Sequence, residues 1–97
     1  SDDAHRQLVN TVVNEPKLHG IVLVGAAMGE ACRRLGLDSD QTLGGQRWLV
    51  HYESVIPELL SRLEVALSPG DRVMVKGSNR IFWQVDFVEQ LIEHIKT

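Results

Sequence analysis

Five consecutive residues, Lys76, Gly77, Ser78, Asn79 and Arg80, combine the groups that a small anion or zwitterion requires. Lys76 supplies a movable positive charge. Ser78 and Asn79 offer short donors and acceptors, and Gly77 lets the backbone turn sharply and approach a ligand closely. Together they suit a carboxylate beside an amine, and with Arg72 upstream they suit a small anion. The same composition also makes an ordinary strand-terminating turn with a solvated lysine. On chemistry alone that plainer reading carries more weight, because Gly-Ser-Asn is common in loops.

Other chemistries are less well supplied. A phosphate loop of the Walker type needs Gly-Lys-Ser or Gly-Lys-Thr opening a helix, whereas Lys76 precedes Gly77. The stretch Gly25-Ala26-Ala27-Met28-Gly29 lacks dinucleotide spacing and reads better as helix packing on sheet. The four histidines, His5, His19, His51 and His94, show no HxxxH spacing, and the single cysteine cannot anchor a structural zinc. No metal site is expected. A Ser78–His51 hydrolytic pair would lack both the Gly-x-Ser-x-Gly elbow and an evident orienting acid. Trp48, Phe82 and Trp83 read as core or rim packing, with Trp83 placed to wall a pocket near the Lys76 loop, and Cys32 reads as filler on a buried helical face.

Composition bounds the class. Ninety-seven residues with 43% hydrophobic and 24% charged side chains fit one small globular domain. The formal charge is −3 and the ten Lys and Arg residues are scattered, which argues against a nucleic-acid face. Cys32 has no internal partner for a disulfide, so a reduced, cytoplasmic setting is expected. No apolar run approaches the roughly 18 to 20 residues of a membrane span.

The elements that would position the loop follow from periodicity. Leu8, Val12 and Val13 predict a helix over 4–14, and the run Ile21-Val22-Leu23-Val24 predicts a strand covered on both faces. Helical spacing returns over 26–35, with Gly36 as its stop. Asp38 to Gly45 reads as a polar surface connection and Trp48-Leu49-Val50 as a short strand. Ser54 is expected to cap a helix that carries Pro57 in its first turn and the stripe Ile56, Leu59, Leu60, Leu63 and Leu67. Ser68-Pro69-Gly70-Asp71 predicts a turn, Val73-Met74-Val75 a buried strand, and Asp86 the cap of a terminal helix. This order predicts an α/β fold of the Rossmann-like, three-layer kind, with a mainly parallel sheet and helices on its faces. In such sheets ligands gather beyond the carboxyl ends of the strands, where Gly25, His51 and the loop from Lys76 to Arg80 all fall.

The run Pro69-Gly70-Asp71-Arg72-Val73-Met74-Val75-Lys76-Gly77-Ser78-Asn79 resembles the C-terminal domain of the UDP-N-acetylmuramoyl-tripeptide–D-alanyl-D-alanine ligases, members of the muramyl (Mur) ligase family. His5 near the start of a helix, Val24-Gly25 closing a strand, and the leucine-rich helix from Leu59 to Leu67 fall in the matching order, so the resemblance covers nearly the whole chain.

The resemblance implies a reaction in which ATP activates a carboxylate of the muramyl tripeptide as an acyl phosphate and the amine of D-alanyl-D-alanine attacks it. Lys76 and Ser78 would then meet the dipeptide, with Gly77 and Asn79 shaping the loop and Arg80 beside it. It further implies a domain incomplete at its N-terminal end, with the central ATPase and N-terminal UDP-binding domains absent. ATP and Mg belong to that missing part, and the 97 residues alone are expected to be inactive. Asn79 stands where many relatives carry arginine, and Gln84 approximately where they carry glutamate. A missing opening strand would expose a sheet edge or an apolar face, so the isolated chain is expected to form a homodimer or to exchange strands. The alternative from another class is a non-catalytic α/β binding or interaction module on the same scaffold.

Overall fold

Residues 2–73, 89 and 91–93 are described by the structure, a computed structural model. They run α1 (Asp2–Val13), β1 (Gly20–Val24), α2 (Ala26–Arg34), β2 (Asp40–Thr42), β3 (Trp48–Tyr52) and α3 (Pro57–Ala66), and the chain divides into two compact units, Ser1–Glu53 and Ser54–Thr97.

The first unit is a small α/β arrangement around a three-stranded mixed sheet of order β1-β3-β2. β1 runs parallel to β3, from Gly20 opposite Trp48 to Val24 opposite Tyr52. β2 lies antiparallel on the other edge of β3, with Asp40 opposite Val50 and Thr42 opposite Trp48. The segment expected to be a plain connection from Asp38 to Gly45 therefore contains a strand. Its sequence, Asp-Gln-Thr, has no apolar alternation, and its extended form follows from pairing with β3 across a tight loop closed by Leu43 N–H donating to the Arg47 carbonyl at 2.7 Å. A short, polar strand is what a sheet edge tolerates best.

Side chains alternate across a strand, so Ile21 and Leu23 of β1 share a face with Leu49 and His51 of β3. That face carries the core: Ile21, Leu23 and Leu49 cluster with Val9 of α1 and Ala31 and Cys32 of α2. Val12, Val13, Met28, Leu37 and Leu43 pack against this cluster. Val24 and Val50, on the opposite face, are also buried.

Helix ends match their local chemistry. α2 stops in a Schellman arrangement: Leu37 N–H donates to the Cys32 carbonyl at 2.9 Å and Gly36 N–H to the Arg33 carbonyl at 3.1 Å, with Gly36 at φ 73°. α1 has no basic residue in its last turn. Arg47, just before β3, supplies the cation instead, donating from Nη2 to the Val12 carbonyl at 3.2 Å and from Nε to the Leu18 carbonyl at 2.6 Å. One guanidinium thus ties the end of α1 and the turn after it to the start of β3.

In the second unit, α3 buries Leu59, Leu60 and Leu63 at helical spacing. Pro57 sits in its first turn, where a missing N–H costs nothing. The expected cap at Ser54 is not formed: Ile56 takes the capping position with an extended backbone and no side-chain hydrogen bond, because Pro57 sets the start of the helix later in the chain. Ser68 to Asp71 form the expected turn, with Asp71 N–H donating to the Ser68 carbonyl at 3.0 Å, Pro69 and Gly70 at its corners, and Gly70 at φ 91°. The Asp71 carboxylate accepts the Ser68 N–H at 2.8 Å, closing the turn a second time. Residues 89 and 91–93 are helical, in keeping with the expected terminal helix, and Leu91 is buried. The expected strand Val73-Met74-Val75 lies outside the described residues beyond Val73.

Candidate functional site

At the carboxyl ends of the parallel pair, the chain leaves β1 through Gly25 and enters α2 directly. Gly25 has φ 108° and ψ 161°, a backbone state essentially reserved for glycine. Its N–H donates to the Tyr52 carbonyl at 2.8 Å, so the pairing of β1 with β3 continues through the turn. Its carbonyl accepts the Gly29 N–H at 3.1 Å, the first hydrogen bond of α2.

The same carbonyl meets His51 Nε2 at 2.7 Å. A carbonyl only accepts, so Nε2 carries the hydrogen and Gly25 O receives two donors, one for each lone pair. His51 reaches it because its ring lies on the α2 side of the sheet, beside Leu23, and because Gly29 has no side chain. A Cβ placed on Gly29 would stand 2.6 Å from Cε1 and 2.9 Å from Nε2 of the imidazole. The backbone of His51 is fixed as well, its N–H donating to the Ser39 carbonyl at 2.8 Å. Gly25, Gly29 and His51 are thus one constellation at the carboxyl ends of β1 and β3, and Gly25-x-x-x-Gly29 is a seat for a side chain from β3.

The far end of α2 carries Glu30, Arg33 and Arg34 in a surface ion-pair group. Arg33 Nη2 lies 2.8 Å and Arg34 Nε 3.0 Å from the Glu30 carboxylate. Hydrogen bonds from Arg33, and next from Arg34, hold that carboxyl below the usual carboxylate range. The group is exposed and adds little to stability. Cys32, buried on the inner face, has its thiol pushed up by burial, with Arg33 acting weakly the other way. It is space-filling rather than nucleophilic. Among the described residues no three His, Cys, Asp or Glu side chains converge to hold a metal ion, and no helix is long and apolar enough to cross a membrane.

Of the residues marked by sequence, the structure brings Gly25 and His51 together. Lys76, Gly77, Ser78, Asn79 and Arg80, together with Phe82, Trp83 and Gln84, lie outside the described residues. The contact of His51 with Gly25 and Gly29 is the feature that sequence reasoning missed. Its signal is present, two glycines four apart flanking the start of α2 with a histidine late in the next long strand, but only the parallel register makes it legible. No protein-family model matches the chain, and no curated protein or solved structure matches it either.

Proposed function

We propose that the chain is the C-terminal, substrate-receiving part of an ATP-dependent amide ligase of the muramyl ligase family. In this reading the ligase adds D-alanyl-D-alanine to UDP-N-acetylmuramoyl-tripeptide in bacterial peptidoglycan synthesis, in the cytoplasm. The observation that carries the reading is the run Pro69 to Asn79, with Val-Lys-Gly-Ser at its end. The turn Ser68–Asp71 at the head of that run and the order of α1, β1, α2, β3 and α3 before it support the reading. In finer terms the fold is Rossmann-like with a mainly parallel sheet.

Lys76 and Ser78 receive the dipeptide, Gly77 and Asn79 shape the loop, and Arg80 adds positive charge beside it. ATP and Mg are bound by the central domain of the full-length enzyme, so the 97 residues alone do not catalyse ligation. The test is made in the full-length protein carrying Lys76→Ala together with Ser78→Ala. A KM for D-alanyl-D-alanine raised about tenfold or more, a loss of about 1.4 kcal/mol of binding, is expected with ATP binding retained. Unchanged dipeptide kinetics would overturn the site. A non-catalytic interaction module, the competing class, predicts no Gly-Lys-Thr or Gly-Lys-Ser loop upstream in the reading frame.

A further inference from the structure

We draw no further inference here: the strongest candidate, the turn at the start of α2 where His51 meets the Gly25 carbonyl, rests on a helix N-terminus with no second observation that points to a ligand.

Discussion

His51 Nε2 donates to the carbonyl oxygen of Gly25 at 2.7 Å, so a side chain from β3 fixes the turn between β1 and α2. The bond selects the Nε2–H tautomer of the neutral ring. Nitrogen NMR of the neutral imidazole is expected to show the Nε2–H form. A dominant Nδ1–H form would contradict the contact.

The ring fits because Gly29 is bare. Gly29→Ala is expected to destabilise the fold by about 1–3 kcal/mol through overpacking. His51→Ala is expected to cost about 1 kcal/mol for the lost hydrogen bond. The two residues touch, so the double variant should cost clearly less than the sum. Denaturant titration of the four proteins measures this, and strict additivity would mean the ring does not occupy the Gly29 surface.

A second glycine plays a comparable part at the other end of the same strand pair. Gly20 stands opposite Trp48, and a Cβ there would run into the indole ring. Gly20→Ala should therefore destabilise by about 1–3 kcal/mol. Combining it with Trp48→Leu should recover part of that loss, and tryptophan fluorescence should report the displaced ring in the single variant.

Arg47 joins parts of the chain that are far apart in sequence, through the carbonyls of Val12 and Leu18. Arg47→Lys keeps the charge but loses the fork, so it is expected to recover less than half of the about 1.5–3 kcal/mol that Arg47→Ala costs. Hydrogen exchange should quicken at the end of α1 in both variants. Equal stability of Lys and wild type would show that charge alone suffices.

Cys32 gives a prediction in pH. Burial raises its pKa, so the folded chain holds the thiol proton more tightly than the unfolded chain does. The associated stability is fully present below the ordinary thiol range and is lost as pH rises through the folded value. Across that alkaline window the wild type should lose stability more steeply than Cys32→Ala, followed by urea midpoints. A thiol reagent at neutral pH should modify the native protein far more slowly than the unfolded one.

Much of the first unit is legible in the sequence because its signals are local. The unbroken run Ile21 to Val24 announces a strand buried on both faces, and Gly36 marks the end of α2 because a left-handed residue is needed there. β2 is not legible, since Asp40, Gln41 and Thr42 become a strand only by pairing with β3. The cap of α3 is misread for a related reason: Ser54 has the right chemistry, but Pro57 decides where the helix begins. The α/β class follows from helices alternating with strands, whereas the mixed character of the described sheet depends on that one polar edge strand. At the site, Gly25 and His51 are predictable as strand-end residues, but their contact depends on a register that no local pattern encodes.

The sheet order makes one order of folding events cheaper than the others in chain entropy. β2 and β3 are neighbours in the chain and close through a tight loop, so they can meet early at a small entropic cost. β1 pairs with β3 only after α2 and β2 have been spanned, and this slower, non-local closure brings Val9, Leu23 and Leu49 into one core. The central strand β3 takes part both in the hairpin with β2 and in the long-range pair with β1, so substitutions at Leu49 are expected to slow refolding more than those on β2, as stopped-flow kinetics would show.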